Sequence, residues 1–186
     1  MRNHLFARTV GIATAYTVAV LATGFAAFGL VTMLVFTAGF VGGLTLWLAL
    51  PTRGTWLDVR WPFWLVMLLF IVHRIEEKQF GFFAMLSSVT GVATPELLSP
   101  AVVALVLLSV GGWLLVPWLM SRRKPLGSYF AWSFFASMGI TELAHWLVFP
   151  FMQGAGAHAV PGMWSVLLLA PTAWWGMSRL YRPPRT

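Results

Sequence analysis

Residues 9–50 read TVGIATAYTVAVLATGFAAFGLVTMLVFTAGFVGGLTLWLAL, from Thr9 to Leu50, without one charged side chain. As a single helix this run would extend about 63 Å at 1.5 Å per residue, twice the roughly 30 Å hydrocarbon layer of a bilayer. It must fold back on itself. Gly24 and Gly29 flank the turn, which predicts spans over 5–26 and 28–50, the second closed by Pro51.

The rest of the chain repeats the pattern. A third helix is expected from Trp61-Pro62, where proline suits a first helical turn, through His73 to Glu77, with continuation to Ser88 left open. The segment Thr90-Gly91-Val92-Ala93-Thr94-Pro95 breaks it. Span four is expected over 100–120 with a kink at Pro117, span five over 128–149 stopped by Pro150, and span six over 161–180 with Pro171 inside. The fold class is therefore all-α: a polytopic integral membrane helical bundle of about six transmembrane helices, one domain over 1–186. No internal repeat or low-complexity segment stands out.

Composition agrees. Residues AVILMFWYC make up 59%, charged residues 9%, and mean hydropathy is +0.81, where soluble domains carry about 25% charged residues. The absence of cysteine excludes disulfides, thiolate ligands and thiol nucleophiles. The net charge of +7 is dispersed in short clusters between apolar runs, a pattern of membrane orientation rather than nucleic-acid binding.

With six spans, Arg2 and Arg8, Arg53 and Arg60, Arg122-Arg123-Lys124, and Arg179, Arg182 and Arg185 all fall on one side. The positive-inside rule then puts both termini in the cytoplasm of a multi-pass protein of the cytoplasmic (inner) membrane. Trp56, Trp61, Trp64, Trp118 and Trp174-Trp175 lie near that boundary as an aromatic belt. Arg2, Arg8 and the apolar stretch behind them also resemble a secretory signal, with Phe25-Ala26-Ala27 as a cleavage step. The next apolar segment follows at once, so a retained first helix is expected.

Only five residues are Asp or Glu, and two of them adjoin in His73-Arg74-Ile75-Glu76-Glu77. Ionisable groups in a hydrocarbon layer need partners, water or a metal, and mark a functional site by default. From a start at Trp61, His73 lies roughly 18 Å and Glu77 roughly 24 Å along span three; from Ser128, Glu142 lies roughly 21 Å and His145 roughly 26 Å along span five. The four are expected in one layer. His73, Glu76 and Glu77 stand at i, i+3, i+4 and can share a side; Glu142 and His145 do so at i, i+3. His158, in the loop before span six, could drape over the same layer.

Plainer readings stand beside this one. His73 and Glu77 could form a self-satisfying ion pair, with Arg74 and Lys78 snorkelling or pairing with the same glutamates. His145 could be a hydrogen-bonded core histidine and His158 an ordinary loop residue. Glu96 and Asp58 read as solvated flank charges. Glu142 is harder to dismiss, because no basic residue lies within a turn of it; it needs a partner on another helix or a proton. Gly39, Gly42, Gly43 and Gly111-Gly112 permit close helix contacts.

His73-Arg74-Ile75-Glu76-Glu77 resembles the motif that names the HXXEE family of small bacterial membrane proteins. His145 and the step Val160-Pro161-Gly162 are similar to that family's later histidine and Pro-Gly, although Val160 departs from its common asparagine. The resemblance covers about residues 60–180 and implies an enzyme-like site without naming a substrate. A weaker similarity is to sterol isomerases of the emopamil-binding type, whose intramembrane histidine and acids His73, Glu77 and Glu142 would match.

The leading expectation is an intramembrane enzyme acting on a lipid or isoprenoid-like apolar small molecule that enters from the bilayer. In one chemistry a single divalent ion, zinc or iron, is held by His73, Glu77, Glu142, His145 and His158. In the other, Glu76, Glu77 and Glu142 work as acids and bases, with His73 as base or cation stabiliser. A proton- or ion-coupled transporter, for which a homo-oligomer would offset the small size, and a non-enzymatic assembly factor are the alternatives.

Overall fold

The computed structural model describes residues 2–94, 96, 98–152 and 160–181. Among them the chain is helical with no strand: α1 Arg2–Ala49, α2 Trp56–Gln79, α3 Phe82–Thr90, α4 Pro100–Leu114, α5 Val116–Ser121, α6 Pro125–Gly139, a 3-10 turn Thr141–Leu143, α7 Ala144–Leu147, α8 Phe149–Met152 and α9 Met163–Tyr181. Four stretches, Phe6–Val31, Trp56–Gln79, Pro100–Ser121 and Pro125–Met152, are long and apolar enough to cross a membrane. Met33–Ala49 is apolar but shorter. α9 is a further helix of 19 residues.

The long first run folds back where it was expected to. α1 breaks at Gly29, whose φ of 72° is open to glycine and disfavoured for other residues. The rings of Phe6 and Trp47 then meet at 6.0 Å, which only a hairpin allows. α6 packs along both arms: the Thr17 and Tyr129 hydroxyls are 2.8 Å apart, while Gly39 and Gly43 lie against Ser137 and Ser133 too closely for a methyl group.

Two expected boundaries are corrected, and the end of α2, left open as far as Ser88, is found earlier. α2 begins at Trp56, not Trp61, because the Asp58 carboxylate accepts the backbone N–H of Thr55 at 2.8 Å and its hydroxyl at 2.7 Å; Asp58 is a helix cap and Pro62 lies inside the helix. α2 does not continue to Ser88: it ends at Gln79, Gly81 turns the chain at φ 73°, and α3 follows separately. Span five is not one regular helix stopped by Pro150. α6 ends at Gly139, and three short turns carry the chain on to Met152 through Pro150. The break at Leu115 between α4 and α5 matches the expected kink at Pro117.

α2 is inverted relative to a soluble helix. Leu68, Ile71, Val72 and Ile75 face outward, while His73 and Glu77 are 0% and 1% exposed. Apolar outside and charged inside is the arrangement a lipid solvent selects. At the far end of the bundle, Arg53 and Gly54 donate backbone N–H bonds to the Leu180 carbonyl, and Arg53 shares a cleft with Phe6, Arg123 and Lys124. These basic loop residues thus collect at one end, and the His/Glu residues lie toward the other.

A candidate metal centre between three helices

His73 lies seventeen residues into α2, a rise of about 25 Å, and Glu142 lies on the 3-10 turn just beyond the end of α6, seventeen residues after Pro125. The equal depth expected from the sequence is realised as contact. The Nε2 atom of His73 is 3.1 Å from Glu142 Oε2 and 3.4 Å from Glu77 Oε1. The Nε2 atom of His145 is 3.3 Å from the same Glu77 oxygen and 3.4 Å from the same Glu142 oxygen. These four atoms lie within 4.8 Å of one another, and all four residues are buried.

The outer nitrogens decide what the inner ones present. His145 Nδ1 is 2.7 Å from the Pro161 carbonyl, which can only accept, so Nδ1 carries the hydrogen. His73 Nδ1 is 2.8 Å from Ser165 Oγ, and that hydroxyl donates to the Gly162 carbonyl at 3.0 Å. Ser165 has one hydrogen, already committed, so it accepts from His73 Nδ1–H. In its neutral form each imidazole therefore points a bare Nε2 lone pair inward, and in its protonated form it donates Nε2–H to the same carboxylates.

Two imidazole lone pairs and two carboxylate oxygens then face one point. Four acceptors at 3.1–3.4 Å repel one another unless protons or a cation lie between them. Glu77 Oε1 is buried and accepts no hydrogen bond. Ligands at 2.0–2.1 Å from a metal stand about 3.3–3.4 Å apart in a tetrahedron, and the four imidazole–carboxylate distances of 3.1–3.4 Å are close to this, with every pair of ligand atoms within 4.8 Å. The residues present fit a divalent cation, and the group could hold one.

The outer oxygens of the carboxylates are held by one residue. Arg74 Nη1 is 2.6 Å from Glu77 Oε2, and Nη2 is 3.3 Å from Glu142 Oε1. Each of the four potential ligands thus has an orienting partner: Ser165, Pro161 or Arg74. This is the outer arrangement that fixes metal ligands. Arg74 is also the part of the cluster that reaches the surface, with 30% of its side chain exposed.

Local backbone explains the positions. The helix interruption after Gly139 frees its carbonyl, and Trp174 Nε1–H donates to it at 2.7 Å. Irregular backbone at membrane depth is tolerated where protein satisfies it, and here it sets Glu142 on the 3-10 turn. Gly162, at φ 90°, opens α9 against both imidazoles; a Cβ there would stand 2.8 Å from the Cε1 atoms of His73 and His145. Phe82, at the start of α3, packs its ring 4.9 Å from His145.

Of the residues singled out from the sequence, His73, Glu77, Glu142 and His145 converge. Glu76 is turned elsewhere: its carboxylate accepts the backbone N–H groups of Trp164 at 3.2 Å and Ser165 at 2.9 Å, in the first turn of α9. It caps another helix and faces away from the four-atom group. His158 lies outside the described residues. Sequence reasoning missed Ser165, whose signal was a lone hydroxyl one turn after Pro161-Gly162, and the bridging role of Arg74, which was considered only as a local ion pair. No protein-family model, curated protein or solved structure matches the chain.

Proposed function

We propose that this protein is an intramembrane enzyme of the bacterial inner membrane. It acts on a lipid or isoprenoid-like substrate with one polar reacting group, using one zinc or iron ion held by His73, Glu77, Glu142 and His145. The observation that carries this reading is the buried convergence of two imidazole nitrogens and two carboxylate oxygens within 4.8 Å of one another, each side chain held by a partner on its outer side. Within it the chain has six spans with both termini cytoplasmic, for which the gathering of Arg53, Arg123 and Lys124 at one end is support. The resemblance to the HXXEE family belongs to the same reading.

A bound ion of this class acts as a Lewis acid on a substrate oxygen or lowers the pKa of a water molecule. The chain's own residues do the rest. Glu142 is the more accessible carboxylate, with 7% of its side chain exposed against 1% for Glu77. Two histidines and one carboxylate suffice to hold a metal with positions open, so Glu142 is the ligand that can leave the ion to take or give a proton. Arg74 stands at the exposed edge, 5.2 Å from the Phe70 ring, where it would meet the polar group of an apolar substrate. The surrounding surface is apolar, with Ile71, Leu147 and Val148 exposed.

A metal-free acid–base reading is favoured by one observation, the paired contacts of Arg74 with both carboxylates. Metal analysis of detergent-purified protein beside its His73→Ala variant separates the two. Near-stoichiometric zinc or iron that falls with the variant supports the metal enzyme. Metal-free protein in both samples, with a lipid-extract difference that persists after chelation, selects the acid–base form. Unchanged lipids between cells with the protein and with Glu142→Gln would remove the enzyme reading altogether.

A further inference from the structure

A second site lies at the opposite end of the bundle. A cleft of about 630 Å³ opens between the loop after α1, the loop between α5 and α6, and the start of α1. Phe6, Trp47 and Met120 give it apolar walls. Arg53, Arg123 and Lys124 line it, and no carboxylate does among the described residues. The N-terminus of α6, with Pro125 and the hydroxyl-bearing Ser128, borders the same space and adds the positive end of a helix dipole.

Membrane orientation alone explains basic residues on this side but not their arrangement. Arg122 satisfies it with its guanidinium 4.7 Å from the Trp118 ring, as Arg60 and Arg179 do over Trp61 and Trp175 at 5.6 and 5.7 Å. These pairs mark headgroup depth. Arg123 is different. It is the one non-glycine residue with positive φ among the described residues, at 52°. It closes α5 through N–H bonds from Arg123 to the Met120 carbonyl and from Lys124 to the Leu119 carbonyl, both 2.9 Å. Glycine is the residue that such a helix end favours. Arginine there carries backbone strain that glycine would not, and it places a positive charge on the cleft.

We propose that this cleft binds a phosphate group carried on an apolar tail, the head of an anionic lipid or lipid-like molecule. The three cations and the helix N-terminus take the phosphate, and the walls formed by Phe6, Trp47 and Met120 take the first methylenes of the tail. The inference does not depend on the His/Glu centre, which lies about 25 Å further along α2 and beyond the end of α6.

Calorimetric titration of the purified full-length protein in neutral detergent tests it. Short-chain phosphatidic acid is the probe, with diacylglycerol of the same chains and inorganic phosphate as comparators. Phosphatidic acid should bind, diacylglycerol should not, and inorganic phosphate should bind at least about a hundredfold more weakly for want of a tail. The combined variant Arg53→Gln, Arg123→Gly, Lys124→Gln should lose phosphatidic acid affinity about tenfold or more. Arg123→Gly alone suits the left-handed turn, so it should weaken binding several-fold while thermal stability holds or rises. Equal binding of diacylglycerol, or undiminished binding by the folded Arg123→Gly and combined variants, would overturn the proposal. Inorganic phosphate binding as tightly as phosphatidic acid would overturn the lipid assignment.

Discussion

Ser165 holds His73 in one tautomer: its Oγ accepts from His73 Nδ1 at 2.8 Å because its own hydrogen is donated to the Gly162 carbonyl at 3.0 Å. The consequence is that, in the neutral ring, the Nε2 lone pair faces Glu77 and Glu142. Replacing Ser165 with Ala removes the acceptor and frees the ring to turn. Loss of an outer partner of this kind weakens metal binding by about 10- to 100-fold. Zinc competition with a fluorescent chelator should show that loss in Ser165→Ala, with the fold intact by circular dichroism. Unchanged affinity would mean that the tautomer is set by something other than Ser165.

Glu76 and Glu77 are adjacent yet have different partners, so their variants should separate. Glu76→Ala leaves two first-turn N–H groups of α9 without their carboxylate, at a stability cost of about 1 kcal/mol. Its metal content should persist. Glu77→Ala should lose the ion. Equal metal loss in both, measured on folded protein, would place Glu76 among the ligands.

Arg74 spans two carboxylates with two different nitrogens, 2.6 and 3.3 Å away. Lysine has one ammonium and cannot reproduce that fork. Arg74→Met leaves buried carboxylates without their cation, an effect of about 3–5 kcal/mol for a buried pair. Metal should restore much of this. The expected result is a lowered melting temperature in chelator that rises on zinc addition more steeply than in the parent protein. Indifference to Arg74→Met in chelator would show that the carboxylates are already neutral.

Gly162 and Gly91 both have positive φ, at 90° and 69°, but only Gly162 has imidazoles against it. Alanine at either position carries the backbone strain, about 1 kcal/mol. Gly91→Ala should stop there, since nothing lies within 4 Å of the added methyl. Gly162→Ala must also displace His73 or His145, and should abolish metal binding. Comparable melting temperatures and metal content in the two variants would show that the rings have room to move.

Reporter fusions after Lys124 and after Gly156 should report opposite faces of the membrane if span five crosses once. The stretch from Pro125 to Met152, though broken after Gly139, is long and apolar enough to do so. Reporters on the same face would remove the six-span topology.

The membrane class, the fold-back within residues 9–50 and the shared depth of four ionisable residues were legible from the chain because they follow from one-dimensional quantities. Hydropathy, the rise per residue and the reach of a bilayer need no tertiary contact. The same arithmetic could not separate Glu76 from Glu77. Neighbours on a helix differ by about 100° in direction, and which side meets α9 depends on how α2 and α9 pack. Nor could it foresee that the helix carrying Glu142 breaks after Gly139. That break survives because Trp174, thirty-five residues further on, donates to the freed carbonyl. Ser165 looked like any hydroxyl in an apolar helix until Gly162 brought it beside His73. Sequence alone determined which residues lie at one depth; tertiary packing decided which of their atoms face one another, because the direction of a side chain and the partner on its far side are properties of the assembled helices.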